Sequence, residues 1–141
     1  MRILFDTNVI LDLLLARQPF WVGSANLFAK VEYGDIEGYL CGTTVTTIHY
    51  LLAKNLDSQQ AKDAVSRLLS LFEIATVSRS VLSSALSLNF GDYEDAVLHE
   101  AARLAHVDAI VTRNLPDFSL AQLPVYDPPA LLALLHARRG R

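Results

Sequence analysis

Short apolar segments alternate along this chain with longer stretches in which apolar residues recur every three or four positions. The short segments predict buried strands at residues 2–5, 38–41, 74–77, 109–112 and 123–126. The longer stretches predict a helix that begins near residue 9 and further amphipathic helices at residues 22–33, 45–54, 58–71, 81–88, 94–105 and 130–136. Strands that alternate with helices pair in parallel. We therefore predict an α/β fold with a short, mostly parallel central sheet flanked by helices.

Size and composition predict one domain in a reducing compartment. The 141 residues are a common length for a single domain, and we expect residues 1–141 to form one. With 52% hydrophobic and 19% charged residues, the chain can bury a core without disulfides, which its single cysteine, Cys41, could not form internally. No apolar run reaches the roughly 20 residues of a membrane-spanning helix. We expect a cytoplasmic protein that does not enter a membrane.

Acidic and polar side chains follow two of the predicted strands and stand at the start of one late helix. Asp6 directly follows the first strand, while Asn114 and Asp117 follow the fourth. Asp92 and Asp95 open the helix predicted near residue 94. Functional groups of an open parallel sheet gather beyond the carboxyl ends of its strands. We therefore expect Asp6, Asp95 and Asp117 to converge there. Asp92 should lie close by.

Acids that converge on one cleft repel one another unless a cation lies between them. Oxygen ligands of this kind suit Mg²⁺ or Mn²⁺ better than zinc. Such an ion can activate a water molecule and stabilise the charge of a phosphoryl group during its transfer. The acidic pattern is therefore typical of a site that cuts a phosphodiester backbone.

Several of these polar residues also have simpler structural interpretations. Asp92 could serve only as the cap of its helix, as we expect Asn8 and Ser58 to do for theirs. Glu94 fits a solvated acid in the first turn of a helix. His99 follows Asp95 by one helical turn, but an exposed or hydrogen-bonded histidine is the simpler interpretation than a metal ligand.

Residues 6–12 spell DTNVILD, and residues 92–118 spell DYEDAVLHEAARLAHVDAIVTRNLPDF. These two motifs resemble the signatures of the PIN-domain ribonucleases, whose bacterial toxins are called VapC. The two motifs occur in the family's order, and the resemblance covers essentially the whole chain. It implies the PIN fold and a Mg²⁺- or Mn²⁺-dependent endoribonuclease, often the toxin of a toxin–antitoxin pair. The expected partners are RNA, an antitoxin protein and a second copy of the chain.

The resemblance also implies a role for individual residues. Asp6 matches the first metal-binding acid, and Asp95 matches the acid at the start of the late helix. Asn114 and Asp117 fall where the family places its last acidic or polar ligand. The predicted catalytic residues are Asp6, Asp95 and Asp117. The predicted metal ligands are Asp6, Asp92, Asp95, Asp117 and Asn114, supported by Asn8, Thr112 and Thr47.

One position departs from the family's pattern. The family usually has a glutamate on the helix after the second strand, where this chain has Thr47 and no acid between Gly38 and Lys54. We expect Asp92 to compensate from the other side of the cleft. The substitution also favours an alternative function, that of a catalytically impaired PIN-like domain that binds RNA or a protein partner without cutting.

A third hypothesis is a phosphatase of the haloacid-dehalogenase type, which also places an aspartate after its first strand. That chemistry needs a second acid two residues later, and this chain has Asn8 at that position. The phosphatase hypothesis therefore ranks last.

Overall fold

Five parallel strands form the centre of the computed structural model, which describes residues 1–139. The last two residues of the predicted domain lie outside this range. The strands lie side by side in the order β3-β2-β1-β4-β5, and every neighbouring pair runs parallel. The predicted α/β class with a parallel central sheet is confirmed. The strands are β1 (Arg2–Phe5), β2 (Glu37–Cys41), β3 (Glu73–Ala75), β4 (Ala109–Val111) and β5 (Val125–Tyr126).

Helices connect the strands and flank the sheet. The helices of residues 1–139 are α1 (Thr7–Leu14), α2 (Trp21–Glu32), α3 (Gly42–Asn55), α4 (Ser58–Leu71), α5 (Arg79–Leu86), α6 (Tyr93–Leu104) and α7 (Pro128–Arg139). A short 3₁₀ helix, Leu115–Phe118, follows β4. Within the same residues, no helix combines the length and the apolarity needed to cross a membrane.

The central strand β1 is buried on both of its faces. Ile3 and Phe5 point to one side of the sheet and join a core built mainly from α1, α2, α3, α4 and α7. Leu4 points to the other side and joins a second core, built largely from α5 and α6. A strand covered on both faces has no polar side, which explains its continuous apolar sequence.

Two predicted helix caps are wrong by one or two residues. Asn8 lies inside α1, and the cap is Asp6, whose Oδ1 accepts a hydrogen bond from the Thr7 amide at 2.7 Å. Ser58 is the first residue of α4, and Asp57 caps that helix by accepting from the Gln60 amide at 2.7 Å. In both cases a carboxylate lies just before the first turn and accepts a hydrogen bond from an amide of that turn.

Gly38 in β2 lies directly under an aromatic ring. A Cβ atom at this position would lie 2.5 and 2.6 Å from ring atoms of Phe72, and 3.0 Å from Val31 Cγ2. The Phe72 ring is held edge-on by Phe5, with their centroids 5.3 Å apart, and it also packs on Phe28 at 5.9 Å. Because neither the ring nor the strand can move freely, only glycine fits here.

We expect Gly38→Ala to lower the free energy of unfolding by about 1–3 kcal/mol, the usual cost of overpacking a core. Gly91→Ala is the matched control, because a Cβ there meets no atom within 4 Å. The control should stay within about 0.5 kcal/mol of wild type. Urea unfolding of the three proteins measures both values. Equal stabilities for the two variants would contradict the packing described for Phe72.

Candidate active site

Asp6 lies at the carboxyl end of β1, where its amide continues the sheet by donating to the Val111 carbonyl at 2.9 Å. Its side chain is only 7% exposed. Oδ1 accepts from the Thr7 amide, and Oδ2 accepts from the Thr112 hydroxyl at 2.7 Å and the Asn8 amide group at 3.3 Å. These donors offset the cost of burying a carboxylate and fix its orientation.

The side chains predicted to support Asp6 also hold the loop that follows β4. Asn8 Oδ1 accepts from the Arg113 amide at 3.2 Å, and Thr112 Oγ1 accepts from the Asn114 amide at 3.0 Å. Each side chain therefore contacts both the carboxylate and the backbone beside it. Their effect on catalysis remains a prediction.

An ion pair between Arg113 and the buried carboxylate of Asp12 holds the same loop. Asp12 on α1 is 1% exposed and accepts two hydrogen bonds from Arg113, at 2.7 Å from Nε and 3.1 Å from Nη2. The Arg113 guanidinium also lies 4.2 Å from the centroid of the Phe20 ring. The sequence motif alone indicates no role for Asp12. Its acidic character within an apolar helix was the available signal for a buried partner.

A cavity of about 250 Å³, which we call the Asp6 cavity, opens beside Asp6. Helix α6 contributes Glu94 and Asp95, and the loop after β4 contributes Asn114. Other lining residues include Asn8, Arg17, Thr43, Thr44 and Thr47. Glu94 was expected to be merely a solvated acid. It is exposed, as predicted, but it also borders this cavity, which its position before Asp95 did not indicate.

A second cavity of about 380 Å³, which we call the Phe90 cavity, adjoins the first through Asp95. Asp92, Asp117 and Phe90 line it together with Asp95. Asp92 also caps α6, since its Oδ1 accepts from the Asp95 amide at 3.2 Å. The predicted ligands are therefore divided: Asp6 and Asn114 border one cavity, Asp92 and Asp117 border the other, and Asp95 borders both.

Burial and mutual repulsion raise the pKa of two of these acids. The pKa of Asp95 rises from 3.8 to about 7, first through burial and then through the negative charges around it. Burial is also the largest cause of the raised pKa of Asp6, against which the hydrogen bonds from Thr112 and Thr7 act. The charges that raise the pKa of Asp95 are those of Asp6, Asp92, Asp117 and Glu94, in order of decreasing effect.

The donor chemistry of this cluster fits a hard divalent cation. Its atoms are carboxylate and amide oxygens, which Mg²⁺ and Mn²⁺ prefer. The acids of the cluster repel one another, so a cation between them would be favoured. No group of three or more acidic, histidine or cysteine side chains within residues 1–139 is arranged to hold a metal by itself.

His99 belongs to a buried hydrogen-bonded network in α6. Its Nε2 accepts from the Gln122 amide at 3.0 Å, so its other nitrogen carries the proton and donates to Glu100 at 2.9 Å. The pKa of Glu100 falls to about 2, mainly because Arg103 donates to it, with further hydrogen bonds from Ser84 and His99. His99 is thus hydrogen-bonded, as its simpler interpretation predicted.

Comparisons with known proteins identify the fold. A family model described as PIN domain matches residues 2–116. No curated protein sequence matches the chain. Among solved structures, FitAcB from Neisseria gonorrhoeae has a TM-score of 0.69 at 21% identity, over 89% of this chain and 97% of that one.

Two further solved structures are similar. A toxin–antitoxin complex from Klebsiella pneumoniae has a TM-score of 0.67 at 23% identity, over 89% of this chain and 96% of that one. A sarcin–ricin loop cleaving toxin of Mycobacterium tuberculosis has a TM-score of 0.62 at 14% identity, over 77% and 86%. At these identities the likeness concerns the fold alone.

We expect the metal-free protein to lose stability as the pH rises from about 4 to about 7. A carboxyl group whose pKa is raised by folding binds its proton more tightly in the folded state. The bound proton therefore stabilises the fold at low pH, and this stabilisation is lost as the pH rises past the pKa of the folded state. For Asp95 this window extends from 3.8 to about 7. Urea unfolding across this range should give a flatter pH dependence for Asp95→Asn than for wild type.

Glu73→Gln is the control, because Glu73 is an exposed acid at the start of β3, away from the carboxyl ends of the strands. It should keep the wild-type slope. An Asp95→Asn protein with the wild-type slope would show that the pKa of Asp95 is not raised by folding.

Proposed function

We propose a ribonuclease function for this chain, which belongs to the PIN domain family. The proposed reaction is the metal-dependent, endonucleolytic hydrolysis of RNA phosphodiester bonds. The observation that carries it is the Asp6 cavity, where acids from β1 and α6 border one space and repel one another. Acids held together despite their repulsion are typical of groups that bind a cation and a phosphate.

In this proposal Asp6 and Asp95 are the central metal ligands. Asn114 provides a further oxygen from the Asp6 cavity, and Asp92 and Asp117 provide others from the Phe90 cavity. A bound Mg²⁺ or Mn²⁺ would supply an activated water and stabilise the charge of the transferring phosphoryl group. The hydroxyl of Thr112 holds Asp6 Oδ2 in place, so this carboxylate need not reorganise when substrate arrives.

We further propose that the chain is the toxin of a toxin–antitoxin pair, with RNA as its substrate and a small antitoxin as its protein partner. The support is the similar fold of a toxin–antitoxin complex and of a toxin that cleaves the sarcin–ricin loop. Action in the cytoplasm and assembly as a homodimer remain predictions from the sequence.

The missing family glutamate makes Glu94 important for this function. Thr47 borders the Asp6 cavity, and so does Glu94, whereas Asp92 borders the Phe90 cavity. Glu94 is therefore better placed than Asp92 to return the lost negative charge. Thr47 also supports a second candidate function, that of a catalytically impaired domain that binds RNA without cutting.

We expect the wild-type protein to cut a mixed RNA pool only when Mn²⁺ or Mg²⁺ is added. Asp6→Asn and Asp95→Asn should each lower the rate by more than about 100-fold, because even residues that merely support metal ligands cost 10–100-fold. Mn²⁺ at about one hundred times its dissociation constant should also stabilise the fold by about 2.7 kcal/mol. The stabilisation should vanish in the double variant Asp6→Asn/Asp95→Asn.

The control for both measurements is Asp63→Asn, which removes an exposed acid from α4. It should cleave RNA and respond to Mn²⁺ like wild type. An unchanged melting temperature at millimolar Mn²⁺, together with no cleavage, would reject the nuclease.

The second experiment separates the two candidate functions at Thr47. If Glu94 replaces the lost acid, Glu94→Gln should impair cleavage as much as Asp95→Asn does. Asp92→Asn should then impair cleavage less than Glu94→Gln does, and it should cost little stability, because asparagine caps a helix about as well as aspartate. Thr47→Glu should raise both Mn²⁺ affinity, measured by calorimetry, and the cleavage rate.

The pattern of results assigns the function. If Asp92→Asn proves as damaging as Asp95→Asn while Glu94→Gln is harmless, Asp92 is the compensating acid. If wild type does not cut but Thr47→Glu does, the chain is a degenerate nuclease. If no variant cuts, the enzyme hypothesis is rejected.

A further inference from the structure

The Asp6 cavity is lined by residues of different chemistry. Asp6, Glu94 and Asp95 contribute carboxylates. The same cavity is also lined by Thr47 on α3 and by Arg17 from the segment between α1 and α2. A site that holds only a cation has no need of a guanidinium, which would repel that cation. The presence of Arg17 therefore indicates a ligand that is itself an anion.

Arg17 has more hydrogen-bonding capacity than the protein uses. Within residues 1–139, its side chain makes one ion contact, 3.8 Å from Nη1 to Asp12 Oδ1, and it is 40% exposed. Both oxygens of Asp12 already accept hydrogen bonds from Arg113 at 2.7 and 3.1 Å. Two guanidinium groups thus share one carboxylate, which leaves a net positive charge at the edge of the cavity.

Thr47 leaves the contribution of α3 to this cavity without a negative charge. No acid lies between Gly38 and Lys54, so α3 offers only hydroxyl groups to the cavity. A glutamate at position 47 would attract Arg17 and compete with an incoming anion. With threonine there, the guanidinium stays available, and the hydroxyl can donate to the same anion.

We propose that Arg17, together with the hydroxyl of Thr47, binds a phosphate of the RNA backbone in the Asp6 cavity. The contact positions the neighbouring phosphodiester beside Asp6 and Asp95. Arginine is suited to this role because its planar fork can donate two hydrogen bonds to one phosphate. The inference rests on the proposed ribonuclease function and adds a substrate-binding residue to it.

The test measures RNA affinity without cleavage. All proteins carry Asp95→Asn and contain no added metal, and a labelled, mixed-sequence, single-stranded RNA is titrated by fluorescence anisotropy over a range of salt concentrations. Arg17→Gln should weaken binding roughly tenfold at low salt. It should also reduce the slope of log affinity against log salt by about 0.7, the value for one lost phosphate contact on a single strand.

Two further variants control for charge and for folding. Arg138→Gln removes an arginine from α7 that lies beside Met1, away from the carboxyl ends of the strands, and it should keep the background affinity and slope. Arg17→Lys should keep the slope, because it retains the charge, while losing part of the affinity. It also remains informative if Arg17→Gln does not fold.

Melting temperature separates a substrate contact from a structural one. Arg17→Gln should melt close to the background protein, because an exposed ion pair of this length contributes little to stability. A large fall in melting temperature with unchanged RNA affinity and slope would mean that Arg17 serves only Asp12, and would overturn the inference. If wild type cuts RNA in that case, the ribonuclease proposal stands. If the background protein binds no RNA at any salt concentration, the inference falls, and the cleavage assay of the wild type decides the ribonuclease proposal separately.

Discussion

The hydrogen bond from Thr112 to Asp6 joins the ends of the neighbouring strands β1 and β4, and the candidate site is arranged around it. A carboxylate buried at the end of β1 is stable only if nearby donors replace its water. The donors come from the residue that follows, from α1 and from the end of β4. The contacts that make burial of Asp6 tolerable also set where the loop after β4 runs, and hence where Asn114 can lie.

A second carboxylate of the same motif, Asp12, holds the loop after β4 through its hydrogen bonds from Arg113. It is as buried as the apolar residues around it, but its charge is matched by Arg113. The motif thus contains two aspartates with opposite electrostatic outcomes. Arg113 neutralises Asp12, whereas the charges of other acids near Asp6 help to raise its pKa. This difference separates the structural acid from the candidate ligand, although both lie near the start of the chain.

Local sequence patterns predicted most of the fold but only part of the site. The apolar strands and the periodic helices were visible because burial imposes a repeat of its own on each element. The early start of α3 was missed because Gly42, Thr43 and Thr44 carry no apolar period, and they are helical through tertiary packing. The position of Glu94 beside the Asp6 cavity was not predicted, for a related reason. Its side chain is exposed, and only the approach of α3 and β1 encloses the space beside it.

The order of the strands makes the start of this sequence depend on much later residues. The strand β1 lies in the centre of the sheet, and one of its partners is β4, more than one hundred residues further along the chain. Until Ala109–Val111 has emerged, Ile3 has no neighbour on that side, and Asp6 lacks the hydroxyl that makes its burial tolerable. Contacts over such separations form late in folding, because the intervening chain must first be ordered. A nascent or truncated chain that stops before Thr112 therefore cannot assemble this cluster of acids, however complete its earlier helices are.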